Sequence, residues 1–163
     1  MTTAERFVQR VNRVAEIVVI IAFATLIGIV AAAVFFRYVL NDSIVWAEEM
    51  ARYLFVWITF VGGGLGVGRN IHVGVDSLVK ILPAQLKQLV QICAELMIVV
   101  FVVALIYVGA QFAWFGMNAG ALLLPIPMGV VYLAVPVGGA VMLANVLLNV
   151  WAHWQGYARG ARP

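Results

Sequence analysis

Residues 14–36 read VAEIVVIIAFATLIGIVAAAVFF, and this run decides the fold. After Glu16 it contains no charged residue, and it exceeds the ~20 residues a helix needs to cross ~30 Å of hydrocarbon. Three further apolar stretches, residues 44–67, 89–115 and 128–151, meet the same length requirement. They are continuously apolar and lack the alternation of a lipid-facing strand, so helices are predicted and not a barrel. The expected architecture is an all-α integral membrane protein, a single four-helix domain over residues 1–163.

Composition agrees. Of the 163 residues, 65% are hydrophobic and only 10% charged, against roughly a quarter charged in soluble domains. Mean hydropathy is +1.06. Too little polar sequence remains to coat a soluble globule. A disordered chain, a nucleic-acid-binding module and an ordinary soluble enzyme are excluded, the net charge of +3 notwithstanding. The single Cys93 leaves no internal disulfide and no cysteine-based zinc site. No catalytic residue, cofactor or metal site is expected.

Loop charges set the expected orientation. Arg6, Arg10, Arg13, Arg69, Lys80, Lys87, Arg159 and Arg162 fall on one side of the four spans, and Arg37 on the other. Both termini are therefore predicted to be cytoplasmic, with the uncharged loop 116–127 facing outward. The arginines ahead of an apolar run ending near Ala31-Ala32-Ala33 resemble a signal peptide. The run is longer than a signal core, so a retained first helix is expected.

The second span opens with Trp46-Ala47-Glu48-Glu49-Met50-Ala51-Arg52. Glu48 and Arg52 are four apart and Glu49 and Arg52 three apart, so both pairs can meet on a helix. A charge at the membrane centre costs ~2.5–3.5 kcal/mol on insertion scales. The group is therefore placed at a helix end, with Arg37 of the first span at similar depth. A structural or interface ion-pair cluster of Arg37, Glu48, Glu49 and Arg52 is the favoured reading, and an ion- or proton-coupling site is the competing one.

The same span ends Gly62-Gly63-Gly64-Leu65-Gly66-Val67-Gly68. The Gly62/Gly66 and Gly64/Gly68 spacings suit close helix packing, and no Walker lysine follows to support phosphate binding. Residues 74–82, between His72 and Pro83, are expected to form a short interfacial helix, with Leu78, Ile81 and Leu82 on one side. His72 and Asp76 lack a third ligand, so a capping or interfacial role is expected. In the third span Gln91 and Glu95 follow helical spacing, as do Asn145, Asn149 and His153 in the fourth. Their depths match, and a polar cluster between these two helices is predicted. Pro136, with Gly138 and Gly139, should interrupt the fourth helix.

Taken in order, Phe36-Arg37-Tyr38, Trp46-x-Glu48-Glu49-x-x-Arg52-Tyr53-Leu54-Phe55-Val56-Trp57, the glycine-rich helix end, His72-Val73-x-Val75-Asp76, and Leu124-Pro125-Ile126-Pro127-Met128-Gly129-Val130-Val131-Tyr132 with Pro136 form a pattern. It resembles the small membrane subunit of tripartite ATP-independent periplasmic (TRAP) transporters. The resemblance implies a complex of three proteins in a bacterial or archaeal inner membrane. A soluble periplasmic protein would capture an organic acid. A large multi-spanning subunit, expected here as a separate polypeptide, would carry the substrate and sodium sites, so that the complex draws on a sodium gradient. The small subunit would pack against it as a fixed scaffold and help dock the periplasmic binding protein. On that resemblance Glu48, Glu49, Arg52, His72 and Asp76 are family-motif positions with structural or interface roles. Membrane lipids would meet the apolar faces and the tryptophans Trp46, Trp57, Trp114, Trp151 and Trp154.

Two other functions are compatible with some of the residues. One is a self-sufficient oligomeric transporter or channel coupled through Glu48 or Glu49. The other is a haem-bearing anchor using His72 and His153, which the position of both histidines at the membrane rim disfavours.

Overall fold

The computed structural model describes the backbone of residues 3–68 and 84–158, and side-chain surroundings for residues 5–67, 90 and 92–151. The predicted interfacial helix at 74–82, together with His72 and Asp76, lies outside the described residues. What is described is all-helical, with four helices long and apolar enough to cross a membrane.

Helix α1 runs Thr3–Val39, farther toward the N-terminus than the apolar run requires. Its 37 residues reach about 55 Å at 1.5 Å per residue, well beyond ~30 Å of hydrocarbon. The extra turns are amphipathic and not apolar. They carry Arg6, Arg10 and Arg13 outward while Val8 is buried. The helix ends where Asn41 takes a left-handed φ of 52°, a conformation asparagine tolerates better than most residues. The Asp42 amide returns to the Phe36 carbonyl at 3.1 Å, and a short turn leads into α2, Val45–Gly68.

Helix α3 spans Ala84–Gly116. The fourth span is divided into α4, Met128–Tyr132, and α5, Ala134–Ala158. The break has a local cause. Pro136 has no N–H to give the Tyr132 carbonyl, whereas Leu133 bonds Gly129 at 2.9 Å and Val137 bonds Leu133 at 3.1 Å on either side.

Helix α5 is the centre of the assembly. It packs most extensively on α2 and next on α3, while α1 leans mainly on α2. Among the described residues α3 touches neither α1 nor α2. Helices α1, α2 and α5 thus meet one another, and α3 is attached on another face of α5, away from α1 and α2. Two faces of α5 serve α2 and α3. Gly138, Val141, Asn145 and Asn149 meet α2, while Val135, Pro136 and Gly139 meet α3.

Close backbone approach makes these contacts possible. A methyl group added at Gly64 would lie 2.7 Å from the Gly138 carbonyl oxygen, and one added at Gly138 would overlap the Phe60 backbone. The same holds at the α3–α4 crossing, where a Cβ on Gly129 would stand 2.6 Å from the Met117 nitrogen. Of the four glycines expected to pack, Gly64 alone sits at a tight crossing among the described side chains. A Cβ at Gly62 would meet nothing nearer than Val19 at 4.0 Å, and one at Gly66 would meet nothing. Gly68 falls outside the described side chains.

The interior is thin. Val102 is the largest side chain completely buried among the described residues. The α1–α2–α5 junction is a small cluster of Ala15, Val61 and Val141, flanked by Val11, Val19, Trp57 and Leu65. Large apolar side chains on α3 point outward, including Met97, Phe101, Phe112, Trp114 and Phe115, as do Ile20, Ile21 and Ile27 on α1. In a bilayer this is no instability, because lipid is as apolar as the side chains it meets.

Candidate functional site

The α3–α4 loop is ordered by its own backbone. The Met128 amide bonds the Ala119 carbonyl at 2.8 Å, and the Ala121 amide bonds that of Ile126 at 3.1 Å. Gly120 pairs antiparallel with Pro127 between them. The prolines at 125 and 127 fix φ and help close the hairpin. At its tip the amides of Leu122, Leu123 and Leu124 are turned toward α2, and Leu122 is 89% exposed.

Glu49, on the second turn of α2, receives them. Its Oε1 accepts from the Leu122 amide at 3.0 Å, and its Oε2 from those of Leu123 and Leu124 at 2.9 and 3.2 Å. The Tyr53 hydroxyl, one turn on, donates to Oε1 at 2.5 Å and lies 3.4 Å from the Met128 sulfur. Glu49 is only 9% exposed and Tyr53 8%. A buried carboxylate is tolerated where donors surround it. Here three successive loop amides and a phenol supply them. Chemically the arrangement is a latch that fixes a loop to a helix.

The ion-pair cluster expected from spacing is therefore split. Helical spacing brings Glu49 within reach of Arg52, but its carboxylate turns the other way and is taken by the loop. Arg37 and Glu48 both line a hollow between α1 and α2, and Arg52 is exposed. Among the described residues these four side chains form no ion pair with one another. The sequence contained no sign of the loop amides, because a backbone donor looks the same in every residue.

Two members of the expected polar cluster, Asn145 and Asn149, turn to α1 and α2. Asn145 is 3% exposed, and its hydrogen-bond partners lie on α1, α2 and its own helix. Asn145 and Asn12 of α1 exchange reciprocal amide bonds of 2.7 and 2.9 Å. The Asn145 amide also lies 3.3 Å from the Gly64 carbonyl of α2 and 3.0 Å from the Val141 carbonyl of its own helix. Asn149 reaches the Val67 carbonyl at 3.4 Å. Matching depth along two helices had suggested α3 as the partner, but depth says nothing about azimuth. The side chains of Gln91 and His153 are outside those described, and Glu95 is half-buried. Asn12 was missed because it precedes the apolar run.

The Asn12–Asn145 pair stitches α1 to α5 and offers a direct test. Interhelical side-chain bonds in membranes average ~0.6 kcal/mol and reach ~1.7. A double-mutant cycle with Asn12→Ala and Asn145→Ala should give a coupling of about 1 kcal/mol by reversible unfolding in bicelles. A coupling near zero would mean the pair adds nothing to helix association.

This fold defines a class of protein: a multi-pass membrane protein, one of whose loops is latched by a carboxylate to a neighbouring helix. The sequence profile of the tripartite ATP-independent periplasmic transporters, DctQ component, matches residues 26–156. The chain belongs to that family. Among relatives, the C4-dicarboxylate TRAP transporter small permease protein DctQ of Vibrio cholerae is 29% identical over 144 residues, covering 74% of this chain and 62% of that protein. The sialic acid TRAP transporter small permease protein SiaQ of the same species is 27% identical over 141 residues, 86% of this chain and 82% of its own. The sialic acid TRAP transporter permease protein SiaT of Haemophilus influenzae is 27% identical over 89 residues, 55% of this chain but 14% of that longer one.

Proposed function

We propose that this chain is the small scaffold subunit of a sodium-driven TRAP transporter for organic acids, packing against a large transport subunit and presenting the Glu49-latched loop to a periplasmic binding protein. Both termini lie in the cytoplasm of a bacterial cell, and the loop 116–127 lies on the outer face. The carboxylic acids in the names of the small-subunit relatives, C4-dicarboxylate and sialic acid, support an organic acid as cargo. The short alignment within the longer SiaT chain supports an intimate pairing of small and large parts. Sodium and substrate sites belong to the large subunit.

The observation that carries the reading is the use to which Glu49 is put. A coupling carboxylate must release and rebind its ion in each cycle. Glu49 is committed on both oxygens to the backbone of its own loop, which is the behaviour of a brace. The wide apolar surfaces of α1 and α3, and the position of α3 apart from α1 and α2, likewise suit a part meant to be covered by lipid and a partner.

The test is reconstitution. Tagged chain purified from its native membrane should bring a larger multi-spanning protein with it. Liposomes holding both, supplied with the binding protein, should take up an organic acid only when sodium is higher outside. Chain alone should transport nothing. Uptake by the chain alone, abolished by Glu48→Gln or Glu49→Gln, would establish the self-sufficient oligomeric transporter instead.

A further inference from the structure

The hollow between α1 and α2 is chemically unlike the rest of the surface. Ala33 on one helix and Ala47 and Ala51 on the other leave a gap of about 260 Å³, below the ~300–1,000 Å³ of typical small-molecule pockets. Arg37 and Glu48 line it, each from the helix end nearest the α1–α2 turn, and Tyr38 completes the rim. Aromatic side chains stand at the same level, Tyr38 75% exposed on the rim and Trp46 46% exposed nearby in sequence, as expected where headgroups meet hydrocarbon. Opposite charges at that depth ordinarily meet each other. Among the described residues these two do not form an ion pair, although they border the same space.

We infer that this hollow binds the headgroup of a phosphatidylethanolamine molecule, the Arg37 guanidinium taking the phosphate and the Glu48 carboxylate the ammonium. A planar guanidinium offers a paired set of donors to phosphate oxygens. An ammonium needs an anionic acceptor, and Glu48 supplies it. The two charges of the hollow are thus complementary to the two charges of a zwitterionic headgroup. The apolar α1–α2 surface beyond, with Val30 and Val34 at its edge, continues as a bed for acyl chain. A phosphatidylglycerol headgroup has no cation to offer Glu48. A phosphatidylcholine headgroup has a cation with no N–H to donate. Discrimination against both follows from the same pair of side chains.

Native mass spectrometry of the full chain, and of the chain assembled with its co-purifying partner, tests this with the three lipids added in equal amounts. Phosphatidylethanolamine should be retained about tenfold over either competitor, the scale of one charge-assisted hydrogen bond. Glu48→Gln should bring phosphatidylethanolamine down to the phosphatidylglycerol level without reducing phosphatidylglycerol. Arg37→Gln should lose all three lipids, and Arg37→Lys, which keeps the charge and gives up the fork, should retain an intermediate amount. Thermal unfolding of each variant separates lost binding from lost fold. The inference is overturned by equal retention of the three lipids, by a preference that Glu48→Gln leaves unmoved, or by a partner that occupies the hollow and excludes lipid from the assembled complex. None of these outcomes bears on whether the chain is a transporter subunit.

Discussion

Glu49→Ala is expected to free the α3–α4 loop while leaving the membrane spans in place. The three amides at Leu122, Leu123 and Leu124 lose their acceptor together, and Tyr53 loses the partner of its hydroxyl. Bonds to an ionised acceptor are the stronger kind. Hydrogen exchange at the three amides should accelerate on the order of 100-fold, while α2 and α5 keep their protection. Glu49→Gln should fall nearly as far. One side of a carboxamide is a donor, and it would face amides that are themselves donors. Glu49→Asp, shorter by one methylene, should keep part of the effect. Tyr53→Phe removes a single donor and should be the mildest of the four. Uptake by the reconstituted complex should drop in the same order if the loop meets the binding protein. Unchanged exchange at Leu122–Leu124 in Glu49→Ala would show that the hairpin stands by its own backbone bonds and the latch is idle.

The Glu49 variants also mark where the sequence stops being readable. That the chain spans a membrane four times is written in long apolar runs, because the bilayer demands length and apolarity and nothing subtler. That Glu48 and Glu49 needed explaining was also visible, since carboxylates beside an apolar run demand partners, but nothing set Glu49 apart from Glu48. The partner of Glu49 was not visible either. Three backbone amides 73 to 75 residues away carry no residue-type signature, whereas Arg52 stands three positions on and invites pairing. Asn145 shows the same limit from another side. Its depth could be counted along the helix, but which neighbour it faced depended on rotation, and rotation is set by contacts such as Gly138 on Phe60 that no single helix encodes. The glycine run on α2 illustrates both halves: the small-residue signal was genuine, yet only the crossing geometry singles out Gly64.

That crossing yields the second large effect. A side chain at Gly138 has nowhere to go, because its first carbon would overlap the Phe60 backbone and crowd the Phe60 Cβ at 2.9 Å. Backbone cannot step aside as a flexible side chain can, so Gly138→Leu must push α5 off α2. Separation would break the Asn145–Gly64 bond, draw Val141 from the Ala15–Val61 cluster and loosen α3, which reaches the other helices through α4 and α5. Overpacking ordinarily costs about 1–3 kcal/mol; with so much resting on one crossing, the upper end or beyond is expected. Folded yield and reversible unfolding in bicelles should both fall sharply, and Gly64→Leu should behave alike from the facing helix. The contrast lies two residues further along α2. A Cβ at Gly66 meets nothing, so Gly66→Ala should be neutral or gain up to ~1 kcal/mol from helix propensity. A loss at Gly66 as large as at Gly138 would mean that the glycines act through flexibility of α2. In that case the close approach of two backbones would not be what holds the helices together.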